Sequence, residues 1–449
     1  MRPGFATRFL PLPVLLLPFL VACGNGEEPA DARRDLLEQA ARTLDEAREK
    51  LLRKDEEGGR VDLLRSEELA LAALKAPGAP PRIQVLNLLA NIATEIGLRV
   101  RPYLIRAVRL SSRVVEEAPD LNLAYYNLGL CFGAMGHHLE AVRAYERVLE
   151  SDLPQEIRAA AAGNLRGMLL AEARKAVRLG KPGAEAVARR LLEQAYALGV
   201  DYGPMPEVEE AMASLGRFYE QATKEAIASG DPIRLAVAHA ENGFLVPAKE
   251  ILARVKTEAG RTEELRWAEA RYLLEIEGTV ESLESAEKMY LEFIARGERV
   301  AHALAGLGRV TLALGRPEDA LARIEGFPEP TVELRAVHLE MLFDRLRSLP
   351  PGDAARADGL YRQVDELLLG SFPDEDRREL LLGALLVAAQ RGDADRLSKW
   401  VAEFQRRYPT DPGALLYEAQ LLDLRKMPLL PEDEAPAKGA PAGGKHGND

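Results

Sequence analysis

Residues Asn122 to Pro154 read NLAYYNLGLCFGAMGHHLEAVRAYERVLESDLP, and the spacing inside this stretch decides the fold. Tyr125, Leu128, Gly129 and Phe132 fall on one stripe of a first helix, Gly136 turns the chain, and Ala141, Tyr145 and Val148 line a second helix. The small residues Gly129 and Ala141 let two antiparallel helices approach closely, while Tyr125, Phe132 and Tyr145 fill the space around them. A single pair of this kind buries too little to stand alone, so more pairs are expected on either side.

This spacing resembles the tetratricopeptide repeat, with Tyr125 where the motif usually carries Trp and Pro154 closing the unit. The resemblance implies an all-α fold, a superhelical array of antiparallel helix hairpins whose first helices line a concave, protein-binding groove. Further along, Leu304, Leu307, Gly308, Gly315, Ala320 and Ile324 form the second-best match. Leu381, Leu385, Gly392, Leu397, Val401, Phe404 and Pro409 form another. Residues 31–426 are expected to hold roughly nine hairpins, above the minimum of about three for a stable stack. The register between residues 155 and 245 stays open. Composition agrees: Ala, Leu, Glu and Arg dominate, aromatics are 6% of the 449 residues, and strand-like alternation is nearly absent. Gly413 to Lys426 reads as a final solvating helix, and residues 427–449, rich in Pro, Ala, Gly and charge, as a disordered tail.

Residues 1–22 are set apart from the fold. Arg2 and Arg8 precede an apolar run, FLPLPVLLLPFLVA, that is short for a membrane span and interrupted by three prolines. Leu20-Val21-Ala22-Cys23 then resembles the lipobox of bacterial lipoprotein precursors. That resemblance implies cleavage before Cys23 and acylation of its thiol, with residues 23–30 as lipidated Cys and tether. An ordinary secretory leader with an incidental Cys, or an uncleaved anchor, is the alternative. Long acyl chains hold a protein at a bilayer at about 0.8 kcal/mol per buried methylene, and stable anchoring takes more than one chain. Gly24 stands where an Asp often retains lipoproteins in the inner membrane, so the expected place is the bacterial envelope, at the outer membrane facing the periplasm. The other Cys, Cys131, is expected to be a small core residue.

Loss of Arg2 and Arg8 moves the formal charge from −12 to −14. An acidic mature chain argues against nucleic acid and against anionic lipid as main partners. Motifs of phosphate-binding, zinc-protease, serine-hydrolase and dithiol chemistry are absent, so no cofactor, metal or catalytic residue is assigned. His137 and His138 are adjacent, about 100 degrees apart on a helix, and poorly placed to share a metal; a solvated turn is expected.

Leu121 to Gly136 contains no charged residue, although a surface helix should show one polar face. Its second stripe, Leu123, Tyr126 and Leu130, either is buried against neighbouring helices or faces the groove. The groove expectation places Tyr126 and Leu130, with Arg309 from the later repeat, against an apolar segment of a partner. The overall expectation is a lipid-anchored, non-catalytic scaffold or adaptor that binds other envelope proteins. The rival is a glycan-binding outer-membrane lipoprotein, which would need aromatic platforms from Trp267 and Trp400.

Overall fold

The computed structural model of the chain describes residues 32–76, 80–179, 184–241, 245–258, 266–267, 269–274, 278–328, 330–350, 353–368, 372 and 374–430. The leader, Cys23, the tether and residues 431–449 lie outside the described residues. Among the described residues there is no strand, and helices follow one another through short turns. The fold is all-α.

Six helices make three antiparallel hairpins: α1 (Ala32–Leu52) with α2 (Glu56–Lys75), α3 (Arg82–Gly97) with α4 (Pro102–Glu117), and α5 (Asn122–Met135) with α6 (His138–Leu149). A separate compact unit, residues 155–391, runs through α7 (Gln155–Leu179), α8 (Ala184–Ala197), α9 (Pro206–Ser229), α10 (Pro232–Glu241) and α11 (Leu245–Glu258). It continues, after a short π turn at Glu269–Leu274, with α12 (Val280–Arg296), α13 (Val300–Ala313), α14 (Glu318–Glu325), α15 (Val332–Ser348), α16 (Ala354–Leu368) and α17 (Asp374–Gln390). The last helices, α18 (Ala394–Arg407) and α19 (Leu415–Leu424), belong with residues 32–154 rather than with the helices that precede them. The division falls at Gly392, inside what the sequence reads as one hairpin.

Local chemistry sets the ends of these helices. Asp55, Thr279, Thr331 and Asp393 each accept a backbone N–H from the first turn, relieving donors the helix cannot satisfy itself. Gly136 sits at φ +81°, a left-handed conformation that a side chain disfavours, and its N–H reaches the Gly133 carbonyl while His137 N–H reaches Phe132. That paired bond ends α5 and aims the chain straight into α6.

The signature hairpin packs as its spacing predicts. A Cβ at residue 129 would lie 2.7 Å from Tyr145 Cε1, so only Gly lets the Tyr145 ring lie against the α5 backbone. Ala141 is fully buried. The same device recurs in α13, where a Cβ at Gly306 would strike the Tyr290 ring and one at Gly308 would lie 2.5 Å from Val337 Cγ1.

Two expectations about the C-terminus are corrected. Helix α19 is not a solvating cap: Leu416, Tyr417, Ala419 and Leu421 are buried, and the helix packs on α4 and α5. Residues 427–430 are part of the fold rather than of a disordered tail, and Leu430 is 1% exposed within the core built by α1 to α5. The physical reason is that LLYEAQLLDL carries apolar residues on more than one face, too many for an outer cap.

One charged cluster is buried between the first two hairpins. Arg48 donates to Glu95 Oε1 at 3.0 Å, to Asn91 Oδ1 at 2.9 Å and to Asp45 Oδ1 at 3.5 Å. Burial pushes the Asp45 carboxyl up from its ordinary value, and the Arg48 guanidinium pulls it partly back. The cluster ties α1 to α3.

Gly129→Ala is expected to cost about 1–3 kcal/mol by forcing a methyl into the Tyr145 ring. Gly167→Ala, in α7 with open space around the added carbon, should instead stabilise by about 0.4–1 kcal/mol. Urea denaturation of both variants checks the pair, and equal effects would contradict the packing. Arg48→Ala leaves the buried Asp45 without its cation and Glu95 with Arg99 alone, and should cost about 3–5 kcal/mol, read in the same denaturation series.

Candidate functional site

Helix α5 is apolar all round because it is covered on several sides. It packs against α3, α4, α6, the 3-10 turn at Pro412–Ala414 and α19. Tyr126 is fully buried, its ring edge-on to Tyr145 with centroids 6.0 Å apart. Leu130 is 3% exposed. The groove expectation for Tyr126 and Leu130 is therefore corrected: both are core residues of the stack. Tyr125, assigned to the hairpin stripe, is the half-buried ring of the two, with the Arg147 guanidinium 5.9 Å above it. Leu128 is buried, Phe132 packs partly buried on the core of the first hairpins, and Pro154 stands immediately before α7.

Arg309 is half-buried and its Nη1 donates to Glu333 Oε1 at 2.9 Å, an oxygen that Arg271 Nη2 also approaches at 3.3 Å. Glu333 thus ties α13 to the first turn of α15, and Arg309 serves that tie in the expected repeat. Arg309 belongs to the unit of residues 155–391, and Tyr126 and Leu130 belong to the other. The two Trp residues are likewise in packing positions: Trp400 is 2% exposed, and Trp267 stands edge-on to Tyr290 and Phe293 at 5.8 and 5.2 Å. Trp267 is half-buried, with the Arg299 guanidinium 5.2 Å over its ring.

Among the described residues Cys131 is enclosed, His239 and His338 are half-buried, and His302 is exposed. Burial pushes the Cys131 thiol up to about 12, against a smaller opposing pull from the Thr94 hydroxyl 3.6 Å away, so no thiolate is present near neutral pH. His239 and His338 are held below the ordinary imidazole value by burial. Among the described residues no cluster of His, Cys, Asp and Glu is placed to hold a metal ion. No described helix is long and apolar enough to cross a membrane.

Among the described residues, the following two surfaces are open to a ligand. In the unit of residues 155–391, Ala173 and Val177 of α7, Leu192 of α8 and Ala211 and Leu215 of α9 enclose a cleft of about 340 Å³. Arg174 and Glu210 add one charge of each sign to its lining. In the other unit a groove of about 550 Å³ lies over α4 beside the chain's last described residues. There Arg109, 8% exposed, donates from Nε to Asp423 Oδ1 and from Nη2 to the Met427 carbonyl, both at 2.6 Å. His137, expected in a solvated turn, is also buried, with Nε2 2.7 Å from the Gly413 carbonyl oxygen and its ring edge-on to Tyr417. Sequence reasoning missed Arg109 and His137 because both partners lie some three hundred residues away. The available signal was the excess of Leu in α19.

No protein-family model and no curated protein matches the chain. Among solved structures, it is similar to a tetratricopeptide repeat protein from Parabacteroides merdae ATCC 43184, at 13% identity. The match covers 78% of this chain and 98% of that chain, with a TM-score of 0.26.

Tyr126→Ala is expected to remove a buried ring from the α5/α6 contact and cost about 3–5 kcal/mol, as large-to-small aromatic changes in cores do. A thermal melt of parent and variant checks it. An unchanged melting temperature would return Tyr126 to the surface.

Proposed function

We propose that this chain is a non-catalytic scaffold that binds other proteins, held in a bacterial envelope by lipid on Cys23. The observation that carries the reading is the chemistry of the open surfaces. The α7–α9 cleft is lined by aliphatic side chains with one cation and one anion, a lining suited to the side chains of a polypeptide segment. Its described lining also includes Ser214. Cys131 is sealed in a core.

Anchoring rests on the sequence LVAC after a basic and apolar leader. Gly24 after Cys23 supports the outer membrane, periplasmic side, as the place of work. With an acidic mature domain and a lipid tether, partner proteins of the envelope are the natural ligands, and the membrane contact is left to the acyl chains.

The test combines labelling with capture. Cys23→Ser should abolish incorporation of labelled palmitate and release the chain from membranes; equal fractionation with no labelling of the parent sinks the anchor. In cross-linked capture from envelopes, Val177→Arg should lose the protein recovered by the parent by at least tenfold, with an unchanged melt. Recovery unaffected by Val177→Arg removes the α7–α9 cleft from the reading, and recovery of glycan in place of protein replaces it.

A further inference from the structure

The passage from α8 into α9 carries the most exposed large apolar side chain among the described residues. Val200 is 83% exposed and Tyr196 is 53% exposed. Both sit on one helical path, because Leu198 N–H reaches the Gln194 carbonyl and Tyr202 N–H reaches the Leu198 carbonyl, carrying α8 through a short helical turn at Gly199–Tyr202. Glu193, Tyr196 and Val200, spaced by three and then four residues, therefore share one exposed stripe.

Charge frames this stripe with a single sign. From Leu191 to Gly216 the sequence has no Lys, Arg or His, and its carboxylates are Glu193, Asp201, Glu207, Glu209 and Glu210, all exposed. Arg189 and Arg190 stand on the other side of Glu193 from Val200. The cation that acts on the α9 carboxylates is Arg166, and it is spent beneath the turn: it is 5% exposed, and its Nη1 donates to the Gly203 carbonyl at 2.7 Å. A Cβ at Gly199 would lie 3.5 Å from its Nη2. Burial holds this guanidinium below its ordinary value, and Glu207 and then Glu209 pull it partly back. Arg166 thus braces both glycines of the turn from inside, while the carboxylates and the two apolar side chains stay outside. Exposed apolar side chains set singly are ordinary, but a pair on one stripe inside a frame of one sign is complementary to a segment that carries apolar side chains and cations together.

We propose that the α8–α9 turn docks a basic, amphipathic segment of a partner protein, with Tyr196 and Val200 receiving its apolar side chains and the surrounding carboxylates its Lys or Arg side chains. This rests on the protein-binding reading and gives the partner a chemistry. The turn adjoins the α7–α9 cleft, whose lining includes Glu210.

The probe is a fluorescent peptide of Lys and Leu, its Leu residues three and four apart, titrated into the full-length chain at about 25 and about 250 mM salt, with a Glu and Leu peptide of the same pattern as its counterpart. Val200→Ser should weaken binding of the Lys peptide about tenfold. Glu207→Gln with Glu209→Gln should weaken it about tenfold at the lower salt and flatten its salt dependence. Glu146→Gln with Glu150→Gln, an exposed pair on α6, should change it by less than about twofold, and the melts of all variants should match the parent because each substituted side chain is exposed. Equal weakening by the α6 pair would show attraction to the acidic chain as a whole, and unchanged affinity in Val200→Ser would show a contact without the apolar stripe. Equal binding of the Glu peptide would remove charge complementarity. Each of these overturns the proposal. If Val177→Arg loses the captured envelope protein while the turn variants leave peptide binding intact, the protein-binding reading stands and this inference falls. Turn-dependent peptide binding with capture unaffected by Val177→Arg would retire the cleft and keep this surface.

Discussion

Tyr145 lies with its ring against the backbone of α5 because residue 129 has no side chain, and much of the first hairpin region is arranged around that contact. With the two helices so close, Tyr126 is driven edge-on to the same ring, and the remaining faces of α5 are left for α3, α4 and α19. In α13 the contact is doubled: Gly306 receives Tyr290 from α12, and Gly308 receives Val337 from α15. A helix that admits rings or branched side chains on two sides keeps only a narrow open face, in α13 the exposed His302 and the half-buried Arg309. Close packing and ligand binding therefore compete for the same helices here, and packing takes α5 and α13.

That competition explains how far the sequence could be read. The hairpins are legible because their determinants are local: Gly136 and Gly315 end helices, and Gly129, Tyr145 and Ala141 meet within one turn-linked pair. The candidate site is less legible because its determinants are not local. The uncharged run from Leu121 to Gly136 is equally the mark of a ligand-facing helix and of one enclosed by neighbours, and a single sequence does not say which neighbours exist. Arg109 reads as one charge among many on an amphipathic helix. Only the return of residues 423–427 to α4 gives it a role.

Electrostatics divide along the same line. Exposed pairs such as Arg42 with Glu38 join residues one helical turn apart, are weak, and are expected from spacing alone. The buried Arg48 cluster joins residues more than forty positions apart, and removal of one member strands charges that water cannot reach. It fixes which helix lies beside α1, where alternative apolar pairings would differ little in area.

The return of α19 to α4 and α5 also bears on how the chain is made. Arg109 and Asp423 are 314 positions apart, so the unit that holds residues 32–154 cannot be completed until Asp423 has been synthesised. Through that interval α4 and α5 expose the apolar surfaces that Leu416, Tyr417 and Leu430 finally cover. Closing so long a loop is slow and uncovered apolar surface invites aggregation, so folding of this unit is the step most exposed to loss of α19.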